Sequence, residues 1–336
     1  MTNNVARIEN SFIENARYKL GVRDQKVILY LIANTDPTQD NFIEQIVPVK
    51  ELETILKKDS KKWGSFYEVM NDFCDNITDR KISFPSDVLV DGKALKGYIN
   101  WFQSVRPVQG DDGEISIRFL FASDLKPFLL KLKEYAQINR MEVAQMRSSY
   151  SIRLFQIFKA QKEKQRKYKS VVTITYELKE LKEILGLYDP KKDQYKYNQF
   201  REFKRNVIAP AEKEINEQTS LYVETFYERN SHRKITHLRF NIYDRSNNPA
   251  LVAGERKKAL LLKMRGENTY STVDLDLFKK TFPKDYTAII KKVDKEIKTF
   301  KEESGRDKFP NEEKMRADHI KTACLEHIRN ELALYL

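Results

Sequence analysis

Side chains that can hydrogen-bond to nucleic-acid bases recur at helical spacing in one short segment. They are Lys196, Asn198, Arg201, Lys204 and Arg205. At about 100° per residue, Asn198, Arg201 and Arg205 share one face of a helix, and the apolar residues share the opposite face. Those apolar residues are Phe200, Phe203, Val207 and Ala211. Arginine can donate two parallel hydrogen bonds to guanine and asparagine can pair with adenine, so the pattern predicts a helix that reads DNA. A solvated polar face on an ordinary amphipathic helix stays open as the alternative.

The positive charge of the chain is concentrated around this segment. Of the formal net charge of +12, residues 140–247 contribute 23 Lys and Arg against 14 Asp and Glu, which is +9. Residues 1–139 contribute 19 minus 20, or −1, and residues 248–336 contribute 19 minus 15, or +4. Such a concentration of positive charge produces a local electrostatic field that favours a polyanionic partner. We expect this partner to be double-stranded DNA.

The elements that must position these side chains occur twice in the same order. The first set comprises the helix DQKVILYLIANT, a strand at Ile46–Val49 that leads into a second helix, the helix WGSFYEVMNDFCDNI, and a hairpin of GYINWFQSVRPV with EISIRFLF. The second set, within residues 148–243, comprises SYSIRLFQIFKAQ, VVTITYELKELKEIL, YNQFREFKRNVIAPAEKEINEQ and a hairpin around Ser231–Lys234. Leu52 aligns with Leu181 in the two second helices. Internal duplication explains the repeat, and chance ordering of common elements is the alternative.

Helix, strand, helix, helix and hairpin is the order of a winged helix. The predicted fold class is therefore α+β: two tandem winged-helix domains of related architecture plus a mainly helical C-terminal extension. We expect domains at residues 1–139, 140–247 and 248–336, with a connecting helix after Pro127 that closes the first. Pro210 lacks an amide hydrogen, so it should end or kink the reading helix near Ala209.

Two further basic groups are candidates for contact with phosphates. The tip of the second hairpin carries Arg229, His232, Arg233 and Lys234, although hairpin tips are also charged for solubility alone. In the first half, backbone contact is predicted for Lys57, Lys58, Lys61 and Lys62, with a solvated loop as an equal alternative. The third helix of the first half is different, because one face is acidic and would repel phosphate. Its acidic residues are Glu68, Asp72, Asp75 and Asp79.

The remaining reactive side chains form no catalytic pattern. The four histidines include no paired metal-binding motif, Cys74 and Cys324 are far apart, and Asp87 replaces the first glycine of a phosphate-binding loop at Gly92-Lys93. We therefore expect no metal, no cofactor and no enzymatic activity. The absence of a leader pattern, of a long apolar run and of a cysteine framework predicts a cytoplasmic protein with no membrane association.

Several of these segments resemble the iteron-binding replication initiators of theta-replicating plasmids. The resemblance covers about residues 8–244, is carried above all by FREFKRNVIAPAEKEINEQTSLYVETFYE, and is most specific over Phe200–Thr225. It implies that the second winged helix places a reading helix, Tyr197–Ala209, in the major groove of directly repeated origin sites. It also implies origin opening by monomers, autorepression by dimers joined through the first winged helix, and contacts with the host replicative helicase and the host initiator. The C-terminal segment of roughly 90 residues departs from the family's two-domain pattern.

Two other functions stay open at the level of the sequence. A winged-helix transcriptional repressor would bind duplex DNA in the same way but would not open an origin. A nicking relaxase would need a tyrosine nucleophile beside clustered histidines, and the histidines are not clustered in sequence.

Overall fold

The computed structural model of the chain describes residues 3–56, 73–85, 89–90, 93–94, 97–110, 113–165, 171–232, 234–245, 254, 273–305, 308 and 310–333. The chain forms two compact units, Met1–Asn247 and Asn248–Leu336.

In its described residues, the first half of the larger unit contains short helices and ten strands. The helices are α1 (Asn10–Asn15), α2 (Val22–Ala33), α3 (Val49–Leu56), α4 (Lys126–Leu129) and α5 (Arg140–Val143), and residues 73–78 are also helical. The strands are β1 (Val5–Glu9), β2 (Arg17–Tyr18), β3 (Gln45–Pro48), β4 (Lys81–Ser83), β5 (Leu89–Val90), β6 (Lys93–Ala94), β7 (Tyr98–Asn100), β8 (Phe102–Gln109), β9 (Ile115–Phe121) and β10 (Tyr135–Asn139).

A three-stranded sheet of order β3-β9-β8 forms the wing of this half. Its central strand alternates inward and outward, and Ile117, Phe119 and Phe121 are its buried residues. Helix α2 lies in the core, since every residue from Gln25 to Ala33 is buried. The Asp24 carboxylate accepts a hydrogen bond from the backbone N–H of Gly21 at 3.0 Å and so stabilises the beginning of this helix.

The second half repeats this arrangement. Its elements are α6 (Ser149–Gln165), β11 (Val171–Glu177), α7 (Leu178–Ile184), β12 (Tyr188–Asp189), β13 (Gln194–Tyr195), α8 (Phe200–Phe203), a π-helical turn (Lys204–Ile208), α9 (Ala209–Gln218), β14 (Leu221–Arg229) and β15 (Ile235–Asp244).

The two halves share strand order as well as element order. The second sheet has the order β11-β15-β14, so in both halves the last strand lies between the other two. The central strand again buries alternate residues, here Leu238, Phe240 and Ile242. The aligned leucines Leu52 and Leu181 are both fully buried. These correspondences are what an internal duplication would leave.

The prediction of a connecting helix after Pro127 is wrong. Pro127 does lie in a helix, but α4 ends at Leu129, and the chain then extends into β10 before the short helix α5. The physical reason is the partner of β10, which pairs antiparallel with β1 from Val5↔Asn139 to Glu9↔Tyr135. A local helical pattern cannot reveal a strand partner that lies over 120 residues earlier in the chain.

A buried arginine joins the two halves of the larger unit. The Nη2 atom of Arg153, in α6, donates to the carbonyl oxygens of Ile13 at 2.7 Å and Ala16 at 2.9 Å. The guanidinium carbon lies 4.5 Å from the centre of the Tyr18 ring. Burial lowers the pKa of Arg153. The end of α1 is thereby held against the first helix of the second half.

The smaller unit is helical in its described residues, as expected for the C-terminal extension. Its helices are α10 (Leu275–Thr281), α11 (Pro283–Ser304) and α12 (Glu312–Ala333). They enclose a small core of Phe278, Val293, Ile297, Ile320, Cys324 and Ile328. Arg316 and Asp294 join α12 to α11 through two hydrogen bonds of 2.6 and 3.0 Å.

Candidate nucleic-acid interface

A continuous helical segment from Phe200 to Gln218 carries most of the predicted base-reading residues. We call it the recognition helix. Its inward side matches the predicted apolar face, because Phe203, Val207 and Ala211 are buried and Phe200 is half-buried. On the outward side, Arg201, Lys204 and Arg205 are all exposed. The sequence periodicity therefore assigned the two faces correctly.

The recognition helix does not end at Ala209. It continues through Pro210 to Gln218, and the disturbance takes the form of a π-helical turn immediately before the proline. There the Ala209 N–H donates to the carbonyl of Lys204, five residues earlier instead of four. Proline can neither donate a backbone hydrogen bond nor tolerate the usual carbonyl position behind its ring. The wider turn absorbs that misfit, and both Val207 and Ile208 become buried.

The beginning of the recognition helix also differs from the prediction. Lys196 and Asn198 are exposed, but they precede the helix, and Tyr197 between them has a positive φ of 59°. The small hairpin β12–β13 occupies this segment and is closed by the Lys196 N–H, which donates to the Leu187 carbonyl at 2.8 Å. The prediction that the helix begins at Tyr197 is therefore wrong, and the helical position predicted for Asn198 does not apply.

This hairpin was missed in the sequence. Its signal was the turn-forming run Asp189–Asp193 with Pro190, flanked by Tyr188 and Tyr195. The two tyrosine rings pack with centroids 5.0 Å apart, and the Tyr195 hydroxyl donates to Glu183 at 2.6 Å. The turn exposes Lys191 and Lys192 a few residues before the recognition helix.

A buried lysine fixes the chain between hairpin and helix. The Nζ atom of Lys182 donates to the Tyr197 carbonyl at 2.8 Å and lies 5.3 Å from the centre of the Phe203 ring. Burial lowers the pKa of Lys182. The contact links the second helix of the winged helix to the start of the recognition helix, so the orientation of the outward side chains is set by the core.

The outward arginines differ in their surroundings from Arg239, which lies on the wing of the same half. Among the residues that the structure describes, neither Arg201 nor Arg205 has an ion-pair partner. By contrast, Arg239 on the wing lies 3.2 Å from Glu228 and over the ring of Phe226. Two guanidinium groups on an exposed face are therefore free to donate to an external acceptor.

Lys204 also faces outward, but it is engaged with the wing. Its Nζ atom lies 4.7 Å from the centre of the Tyr227 ring. Tyr227 is in β14, and the same ring contacts Phe200 edge-on with centroids 5.3 Å apart. The recognition helix and the wing are thus a single packed surface.

The tip of this wing is basic, as predicted. Arg229, His232 and Lys234 are exposed, and Arg233 lies outside the described residues. The Asn230 side chain accepts from the backbone N–H groups of His232 at 3.1 Å and Lys234 at 3.0 Å, which orders the turn. The structure therefore places three of the four predicted contact residues of the tip, Arg229, His232 and Lys234, at the end of the same hairpin.

The candidate contacts of the first half are not described. Lys57, Lys58, Lys61 and Lys62 lie outside the described residues, and so do Glu68 and Asp72 of the predicted acidic face. The remaining members of that face, Asp75 and Asp79, are exposed next to the buried Phe73 and Ile77.

Two absences apply to the described part of the chain. No group of three or more His, Cys, Asp or Glu side chains there is arranged to hold a metal ion. None of the helices described is both long enough and apolar enough to cross a membrane.

Comparisons with known proteins agree with this geometry. Residues 6–159 match the family described as initiator replication protein, WH1, and residues 177–242 match initiator Rep protein, WH2. Among solved structures, the chain is similar to a Pi initiator protein in complex with iteron DNA, with a TM-score of 0.55 and 20% identity over 73% of this chain and 98% of that one. No curated protein sequence matches. The predicted pair of winged helices is confirmed, whereas the boundary between residues 139 and 140 stays a prediction.

Proposed function

Because the chain belongs to the family of initiator replication proteins, we propose that it initiates plasmid replication by binding directly repeated duplex sites at an origin. The resemblance recognised in the sequence supports this, and so does the similarity to a Pi initiator protein whose structure was solved in complex with iteron DNA. In this proposal the second winged helix reads the bases, and the rest of the larger unit positions it.

One observation carries the assignment of the reading element. Arg201 and Arg205 are exposed on a helix whose opposite side is buried, and they have no ion-pair partner among the described residues. A bidentate contact from arginine to guanine discriminates against other bases by about 1–3 kcal/mol. An arginine already paired with a carboxylate would first have to give up that partner. We therefore assign base contacts to Arg201 and Arg205.

The neighbouring cations have a different role in the proposal. Lys204 is held over Tyr227, so it is suited to a phosphate beside the groove rather than to a base in its centre. Lys196 and Asn198 precede the helix and supply contacts at the edge of the groove. The cations of the wing tip contact phosphates or an adjacent minor groove, which adds affinity but little sequence choice.

The proposed activity requires no catalytic residue. Contact energy offsets the cost of deforming DNA, and the strained duplex then opens at a neighbouring A·T-rich segment. We include recruitment of the host replicative helicase and the host initiator, and autorepression by a dimer. If the protein does not open an origin, the same DNA contacts would be those of a transcriptional repressor.

The assignment of the recognition helix is tested by alanine substitution. Bound sequences are first selected from random duplex DNA, and affinities are then measured for that cognate site and for random DNA. Arg201→Ala and Arg205→Ala should each weaken cognate binding by about 1–3 kcal/mol and relax base choice at one position. Lys213→Ala is the matched control, because Lys213 is exposed on the same helix but pairs with Glu217. Equal losses on cognate and random DNA would remove Arg201 from the base-reading set.

Origin opening is tested separately by permanganate footprinting of supercoiled DNA that carries the selected repeats beside an A·T-rich segment. Reactive thymines next to the repeats are expected at saturating protein. A duplex that is fully bound by the protein but does not react with permanganate would contradict the initiator function. The function as a transcriptional repressor would then be the better explanation.

A further inference from the structure

The outward face of helix α11 carries a row of lysines. Relative to Lys284, a rotation of about 100° per residue places Lys291, Lys295 and Lys298 within about 40° of the same line. All four are exposed. The buried residues Val293 and Ile297 lie on the opposite side, so the row points directly away from the core of the smaller unit.

The acidic residues of α11 do not neutralise this row. Asp294 is held by Arg316 of α12, and Glu296 lies 3.9 Å from Lys292, which is outside the row. Among the described residues, Lys298 at the end of the row is its one member with an ion-pair partner, Glu302 at 3.8 Å. Within the described residues, Lys284, Lys291 and Lys295 have no ion-pair partner.

The outward side of α12 provides a contrast within the same unit. There the exposed charged residues are of both signs, as in Asp318, Glu326 and Arg329. Such a mixture of charges is typical of a face that is only solvated. The lysine row of α11, by contrast, presents one sign of charge along about 21 Å of helix from Lys284 to Lys298.

We propose that the lysine row of α11 binds the phosphate backbone of duplex DNA without reading its sequence. Duplex DNA carries one negative charge per about 1.7 Å of its axis, so a row of this length can neutralise several phosphates. Lysine is a compact point charge suited to phosphate, and it lacks the planar fork that reads guanine. The residues between the lysines on this line are Ala288 and Thr287, which offer no ring for base stacking. Single-stranded DNA, whose binding depends on aromatic platforms, is therefore the poorer match.

The test is the salt dependence of binding by the full chain. The triple variant Lys284→Gln, Lys291→Gln, Lys295→Gln removes the three unpaired charges, and a random-sequence duplex is titrated at several salt concentrations. Since each neutralised phosphate contributes about 0.9 to the slope of log K against log salt, the slope should fall in magnitude by about 2 to 3. Affinity at 0.1 M salt should fall at least about tenfold. The ratio of cognate to random affinity should stay unchanged, whereas Arg201→Ala should change that ratio, so the two proposals fail independently.

The matched control removes the same charge elsewhere in the unit. Lys308, Lys314 and Lys321 are exposed, and the triple change to Gln should alter the slope by less than one. A second variant, Lys284→Arg, Lys291→Arg, Lys295→Arg, keeps the charges and should keep the slope of the unmodified protein. Equal effects of the two Gln triples, or an unchanged slope for the row variant, would overturn the proposal. So would a larger loss on oligo(dT) than on the duplex. Thermal melting of each variant by circular dichroism verifies that the helices remain folded.

Discussion

The ammonium group of Lys204 lies 4.7 Å from the centre of the Tyr227 ring, and this contact ties the recognition helix to the wing. Burial raises the pKa of the Tyr227 phenol to about 12, so the ring remains neutral at physiological pH. A neutral aromatic face attracts a cation through its quadrupole. The helix that carries Arg201 and Arg205 is therefore packed against the strand that leads to the wing tip.

The coupling between these two residues is measurable by a double-mutant cycle. Lys204→Ala and Tyr227→Leu each remove one partner, and the interaction energy should be about 0.5–1 kcal/mol, because the pair is partly exposed. The free energy of unfolding is obtained from urea denaturation followed by tryptophan fluorescence. Both tryptophans, Trp63 and Trp101, belong to the larger unit, so the signal is specific to it. Strictly additive effects would show that the contact contributes nothing to stability.

Loss of a cation at the wing tip should affect all DNA sequences alike. Lys234 is exposed and its backbone N–H is anchored by Asn230, so Lys234→Gln should leave the turn intact. We expect a similar loss of affinity on cognate and random duplexes and a salt slope smaller in magnitude by about one. Fluorescence anisotropy across a salt series measures both quantities. A loss confined to the cognate site would instead make Lys234 a base-reading residue.

The joint between the two winged helices depends on a glycine. Gly186 has a φ of +67°, and a Cβ atom there would lie 2.5 Å from the carbonyl oxygen of Tyr18 in the first half. Gly186→Ala would add both left-handed backbone strain and a clash with backbone, for a total of about 3 kcal/mol of lost stability.

Gly113→Ala is the matched control for that substitution. Its φ is +77°, but the nearest atom to an added Cβ is the end of the flexible Gln109 side chain at 4.0 Å. At this position only the left-handed backbone strain applies, so the free energy of unfolding should fall by about 1–2 kcal/mol. Urea denaturation of both variants gives the comparison. Equal losses of stability in the two variants would mean that the backbone around Gly186 shifts to accommodate the added Cβ atom with little loss of free energy.

The two cysteines should report the unfolding of the two units separately. Cys74 lies in the larger unit and Cys324 in the smaller one, and both are buried. Burial disfavours the thiolate and raises the pKa of each thiol to about 11. At pH 8 a disulfide reagent should therefore react slowly with the folded protein and rapidly in urea, because the thiolate is the nucleophile.

Single-thiol variants separate the two signals. Cys324→Ala leaves the larger unit's thiol, and Cys74→Ala leaves the smaller unit's thiol. Reactivity followed against urea should give a lower midpoint for the smaller unit, whose core is far smaller. Rapid reaction of either variant without urea would contradict the burial of its thiol.

Local periodicity alone predicted the wing hairpins, the α+β class and the buried side of the recognition helix. Phe203, Val207 and Ala211 are buried, as the periodicity predicted, and the wing hairpin lies around Ser231–Lys234 as expected. These features depend on neighbours within one or two turns, so a single sequence contains enough information to predict them.

Features that depend on distant partners could be found only in the tertiary structure. The strand β10 exists because β1 pairs with it, and Arg153 is buried because the carbonyls of Ile13 and Ala16 accept its hydrogen bonds. The start of the recognition helix at Phe200 and its passage through Pro210 follow from the β12–β13 hairpin and from the π turn, where packing outweighs local preference. A sequence thus determines which faces can be buried, because that choice is local, whereas contacts between distant segments decide which of those faces meet and where each element ends.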